Sequence, residues 1–263
     1  MIERICEQGS LVVKIEHIDQ VSEEEYAMLR KESFGGSDSS ILCGVNLYKT
    51  LDQLIKEKNC KYITDEEKEV GNKAIVRKGK DLEPIILDKA AQELGIEINK
   101  PTAMFEFKEE PILTLNYDGV AEENQVLIPI EAKLVSKYGE KYYNKDKTLE
   151  ENKEVDMKIE GDSLEAHIKR KALRIGIPAY YYTQVQQEIM GLGAPYGYLA
   201  VLFDDSWTFK LYLVKADNYV QNKIIDIATK YKDVIKKNSQ WVLFFMFVIN
   251  LYTEHHVYII YNN

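Results

Sequence analysis

The chain has 263 residues, 45% hydrophobic and 29% charged, a globular balance that excludes wholly disordered, collagenous and low-complexity proteins. Its 43 acidic side chains outnumber its 34 basic ones, and a net charge of -9 argues mildly against indiscriminate nucleic-acid binding while saying nothing about a local cleft. Cys6, Cys43 and Cys60 lie far apart with no C-x-x-C pair, so neither a disulfide framework nor a thiolate metal site is expected, and a cytoplasmic protein is the natural reading. The N-terminus scatters charges among its first apolar residues, unlike a signal peptide. From Ser22, a capping box with Glu25 predicts a short helix that ends before Gly35 and Gly36. Ser37 is the candidate N-cap of the next helix, with Ser40 in reach, and Thr50 with Gln53 caps another. From Glu66 to Leu94 apolar residues recur at helical spacing until Gly95, with a kink or break expected near Asp81 to Glu83 because Pro84 lacks an amide donor.

Strand character follows in two runs, from Ile112 to Glu122 and from Val126 to Val135, which read as an antiparallel hairpin with its turn centred between Glu123 and Asn124. A second hairpin is predicted from Tyr198 to Phe203 and Trp207 to Val214. Between them lie a polar stretch, 137–175, and a helical segment containing YYYTQVQQEIMGLG. Strands framed by helices predict one α/β domain over 1–240. The apolar tail 241–263 contains a run, Trp241 to Ile249, too short to span a bilayer as a helix, so no membrane contact is expected.

The informative residues are Asp118, Glu131 and Lys133. Strand alternation puts Glu131 and Lys133 on one face and Ile130, Ala132 and Leu134 on the other. The predicted turn places Asp118 near Pro129, diagonally within reach of Glu131. Two carboxylates in neighbouring strands repel unless a divalent cation neutralises them, and hard oxygen ligands suit magnesium or manganese. Lys133 could then orient or deprotonate a water, or offset developing charge, in phosphodiester hydrolysis. The same spacing also suits a solvent-facing Glu–Lys salt bridge beside an unrelated aspartate.

Five segments, LRKESFGGSDSSILCGVNLYKT, GNKAIVRKGKDLEPII, NYDGV, IPIEAKL and IPAYYYTQVQQEIMGLGAPYGYLAVL, resemble in sequence order the YqaJ viral recombinase family, the lambda-exonuclease-like branch of the PD-(D/E)XK nucleases. The resemblance implies a restriction-endonuclease-like core, a central mixed sheet flanked by helices. It implies that Asp118 and Glu131 bind metal, that the Ala132 carbonyl completes the coordination, that Glu83 is an outer ligand, and that Lys133 is the catalytic lysine. Gln184 matches a glutamine that approaches the site from a helix, with Tyr181 one turn before it. Arg30 and Ser37 match the positions that hold a DNA 5′-phosphate, and a helix starting near Ser37 would add its dipole to such a pocket. Tyr117 stands where the family name has proline.

The resemblance further implies a Mg2+-dependent exonuclease, with Mn2+ as the other metal, digesting linear double-stranded DNA from 5′ ends as a ring-shaped homotrimer with a single-strand annealing protein as partner. The rival readings are an endonuclease with the same metal site and a DNA-binding module that does not cleave. The insertion 137–175 carries lysines at 137, 141 and 145, then His167, Lys169, Arg170, Lys171 and Arg174, and reads either as a DNA clamp or as a solvated flap.

Overall fold

Ser22 accepts the Glu25 amide while the Glu25 carboxylate takes the Ser22 amide, and this reciprocal cap starts helix α2, Glu23–Leu29. It follows helix α1, Ile2–Gln8, and strand β1, Leu11–Ile15. The computed structural model describes residues 1–71, 73–143, 159 and 161–235, so the apolar tail and Lys145 lie outside the described residues. Helix α3 spans only Ser39–Leu42, and Thr50 with Gln53 caps α4, Leu51–Lys58, as expected. A separate helix α5, Asp65–Gly71, precedes α6, Ala74–Leu94.

The break expected at Pro84 is therefore found near residue 73, and α6 continues through the proline to a left-handed Gly95 cap. One lost amide bond is offset because the following turns bury Ile86, Leu87 and Ala90 in the core.

After β2, Ile98–Asn99, come β3, Met104–Phe107, β4, Thr114–Leu115, β5, Gly119–Glu123, and β6, Val126–Val135. Helices α7, Leu164–Ile175, and α8, Ala179–Leu192, lead to β7, Tyr196–Phe203, and β8, Thr208–Lys215, and a helical stretch follows at 218–235. Both predicted hairpins form, but the run from Ile112 divides. Its first half, β4, joins the antiparallel sheet β1-β3-β4, and only β5 pairs with β6. The main sheet has the order β2-β5-β6-β7-β8, mixed because β6 and β7 run parallel. Helices α6 and α8 pack against β6 and β7. This is the α/β core, a mixed sheet flanked by helices, that the sequence predicts.

Gly9 ends α1 where it meets the last turn of α8. A Cβ there would stand 2.2 Å from the Gly191 carbonyl oxygen, and both partners are backbone. Gly9→Ala should therefore cost about 2 kcal/mol or more, the upper range for overpacking, and thermal denaturation should show it. An unchanged melting temperature would mean that α1 is not seated on α8. Among the described residues no helix is long and apolar enough to cross a membrane.

Candidate active site

Asn124 and Gln125 both take positive φ, 51° and 68°, and together make the turn between β5 and β6. The register pairs Val120 with Pro129 and Gly119 with Ile130. This corrects the predicted turn centre, which had set Asp118 near Pro129. With the pairing shifted by two residues, Asp118 comes level with Glu131, and its Oδ2 accepts the Ala132 amide at 3.0 Å. The shift strengthens the predicted convergence.

Glu131 is only 1% exposed, so its strand face is packed under α8 rather than open to solvent. Lys133 forms an ion pair with Glu131 and lies 3.9 Å from Asp118 Oδ2. Gln184 donates its amide to Glu131 Oε1 at 2.5 Å, and the Tyr181 ring lies 5.6 Å from the Lys133 ammonium. The predicted residues Asp118, Glu131, Lys133 and Gln184 thus meet in one place.

Glu188, one turn after Gln184, completes the group and was not singled out from the sequence. It is buried, its Oε1 lies 3.4 Å from Gln184 Nε2, and it is hydrogen-bonded to Glu131. The signal that could have found it is the helical step from Tyr181 through Gln184 to 188. Gln187, three residues after Gln184, turns away from the group and donates to the Phe34 and Thr114 carbonyls. Tyr117 is buried, and its hydroxyl donates to the Glu188 carbonyl at 3.2 Å, so the tyrosine in the proline position ties the strand end to α8.

Burial raises the Glu131 carboxyl to about 7, with the Asp118 charge adding to the effect and Lys133 opposing it. Burial and Glu131 raise Glu188 in the same direction. Burial disfavours the Lys133 ammonium, but the Glu131 and Asp118 carboxylates outweigh it and hold the charge.

Three crowded carboxyls and one amine describe a place short of positive charge. Asp118, Glu131 and the Ala132 carbonyl offer hard oxygen donors of the kind magnesium or manganese takes. The residues therefore fit a divalent ion, although among the described residues no three or more His, Cys, Asp or Glu side chains form a ready metal cage. Glu83 lies one turn from Leu87, whose side chain approaches Gly119, the residue after Asp118. Its carboxylate is held by Lys100 at 2.5 Å.

Arg30 and Ser37 meet directly: Arg30 Nη2 donates to Ser37 Oγ at 2.9 Å. Ser37 is not the N-cap that the sequence suggests. It sits inside a 3-10 turn, Gly36–Asp38, and α3 begins after Asp38, whose carboxylate accepts the Gly35 amide. Only four residues long, α3 contributes little dipole. The turn is fixed by a buried ion pair unseen in the sequence, in which Lys58 Nζ reaches Asp38 Oδ2 at 2.6 Å and the Arg30 carbonyl at 2.7 Å. Burial opposes the Asp38 charge, but Lys58 and Arg30 hold its carboxyl below the usual aspartate range.

In the insertion, the described part holds a 3-10 turn, Glu140–Tyr142, and α7, which carries His167, Lys169, Arg170, Lys171 and Arg174. His167 is occupied by Asp217 at 2.8 Å and Lys169 by Glu165 at 2.5 Å.

The fold is shared with solved structures. An alkaline exonuclease from Laribacter hongkongensis, LHK-Exo, superposes with a TM-score of 0.54 at 12% identity, covering 86% of this chain and 98% of that one. LHK-Exo in complex with dAMP gives 0.53 at 12% identity, covering 83% and 95%. No curated protein sequence matches the chain. The sequence profile of the YqaJ-like viral recombinase domain matches residues 25–191, a span that contains every site residue named above, and the chain belongs to that family.

Proposed function

We propose that this protein is a divalent-metal-dependent deoxyribonuclease of phage recombination type, an exonuclease that shortens linear double-stranded DNA from 5′ ends. The convergence of Asp118, Glu131 and Lys133 on two paired strands carries this reading. Asp118, Glu131 and the Ala132 carbonyl would hold magnesium, or manganese in its place, and the ion would supply charge neutralisation at the scissile phosphate and an acidified water. Glu83 would join as an outer ligand after leaving Lys100. Gln184 fixes the Glu131 carboxylate, and Glu188 backs both. Lys133 places an ammonium beside the two acids, where it can offset charge developing on the phosphate. Arg30 and Ser37 would receive the 5′-phosphate through charge-assisted hydrogen bonds.

Family membership and the alkaline exonuclease fold support this reading. A homotrimeric ring threaded by DNA, working with a single-strand annealing protein, would suit a chain of net charge -9, because enclosure holds DNA without a strong electrostatic grip.

The deciding experiment is digestion of end-labelled linear duplex with magnesium, comparing 5′-phosphate, 5′-hydroxyl and covalently closed circular substrates. Stepwise release from linear DNA alone, stopped by EDTA, is expected. Cleavage of circles would identify an endonuclease, and binding without nucleotide release would leave a non-cleaving module. Arg30→Ala should reduce the preference for 5′-phosphorylated ends by about tenfold or more, the scale of a lost charged hydrogen bond. An unchanged preference would remove Arg30 from the pocket.

A further inference from the structure

Between α3 and α4 the chain exposes two large apolar side chains side by side, Leu47 at 57% and Tyr48 at 77%. The loop that presents them is held at its base. Asn46 Oδ1 accepts the Tyr48 and Lys49 amides at 2.8 and 2.9 Å, and Asn46 Nδ2 donates to Ser40 Oγ at 2.8 Å. A fixed loop that points an aromatic ring into water leaves apolar surface uncovered, which a free protein gains nothing by doing.

The Tyr48 ring does not stand alone. Its centroid is 6.3 Å from Tyr180 in an edge-to-face arrangement, Tyr180 is 4.5 Å from Tyr181, and the Tyr181 ring lies 5.6 Å from the Lys133 ammonium. The three rings form a continuous aromatic path from solvent to the candidate catalytic lysine. At its inner end Tyr143 packs against Tyr181 at 6.4 Å, and next to that residue the Lys141 ammonium lies 5.0 Å from the exposed Tyr142 ring.

We propose that Tyr48 and Tyr180 are a nucleobase-stacking platform for the DNA strand whose backbone reaches Lys133, with Tyr181 joining the platform to the site. The inference rests on the nuclease reading for its ligand and adds a base-contacting surface to it. The occupant follows from continuity with the carboxylate–lysine group and from charge. A chain of net charge -9 gains little by long-range attraction to DNA, whereas stacking on a ring is tolerant of sequence and needs no net positive field.

The test uses the full chain in EDTA, where binding is read without cleavage, with a fluorescent 5′-phosphorylated duplex as probe. Tyr48→Ala should weaken binding by about tenfold, within the range for loss of one base–aromatic stack, and the loss should persist at high salt. Tyr48→Trp should restore it, and Tyr180→Ala should behave like Tyr48→Ala. Removing the bases nearest the 5′ end, with abasic nucleotides, should weaken wild-type binding and leave the Tyr48→Ala protein no weaker still, since ring and base would be two halves of one contact. Unchanged affinity in both alanine variants, or losses from ring and base that simply add, would overturn the platform. Ring-dependent binding by a protein that releases no nucleotide would sink the nuclease reading alone, and cleavage by a protein indifferent to its rings would sink the platform alone.

Discussion

Lys133→Ala should reduce nucleotide release from linear duplex DNA by about 10²- to 10³-fold, the scale on which loss of one preorganised charge-stabilising group slows a reaction. The lysine faces both Glu131 and Asp118, so its removal deletes the ammonium that, on the proposed reading, would face the reacting phosphate, and lets the acids relax. Binding of the duplex should change little, because the Arg30–Ser37 pair lies on a different part of the chain. Rate and affinity measured together separate the two. A variant with wild-type turnover would refute the catalytic assignment, and circular dichroism would show whether a slow variant is still folded.

A second large effect concerns stability in the absence of metal. The folded protein keeps Glu131, at about 7, and Glu188 protonated at pH values where an unfolded glutamate, near 4.5, has already lost its proton. The native state therefore binds more protons than the unfolded one. This share of stability is fully present below about pH 4.5 and is lost as pH rises through the folded values. Each such proton is worth at most about 1.4 kcal/mol per pH unit. In EDTA the melting temperature should fall between about pH 5 and pH 8. Magnesium should recover it at the upper end by neutralising the carboxylates. Glu188→Gln, which keeps the side-chain volume and removes one acid, should flatten the slope. Asp38, whose carboxyl is depressed, loses its contribution only at more acid pH and does not blur this window. A melting temperature that rises steadily across the range would show that the two glutamates do not share a dry site.

What was legible in the sequence was local. Ser22 with Glu25 and Thr50 with Gln53 close their caps within three residues, so the sequence contains both partners. The failures lie where distant packing decides. Pro84 should break a helix by its own chemistry, yet residues buried beyond it keep α6 whole. The predicted hairpin turn is one residue early because Gln125 adopts a positive φ that its type does not announce, and the resulting two-residue pairing error set Asp118 opposite Pro129 instead of Glu131. Asp118, Glu131 and Lys133 were found because alternation and the family motif agree on them. The helical step from Tyr181 and Gln184 leads to Glu188, but from 184 it reaches Gln187 as readily, and only the packing of α8 decides between the two. The Lys58–Asp38 pair joins residues twenty apart, and no local rule links them.

The parallel pairing of β6 with β7 has a consequence for synthesis of the protein. Parallel neighbours need a long crossover, and here it runs from Val135 to Tyr196 and contains α7 and α8. A nascent chain that has emerged only as far as Lys133 already carries Asp118, Glu131 and the lysine, but it lacks Gln184 and Glu188, which wall them in, as well as the strand that buries their flank. On the proposed nuclease reading such a partial chain is expected to be inert, and the site would become competent only once the crossover has docked, which would spare nearby DNA from half-made enzyme.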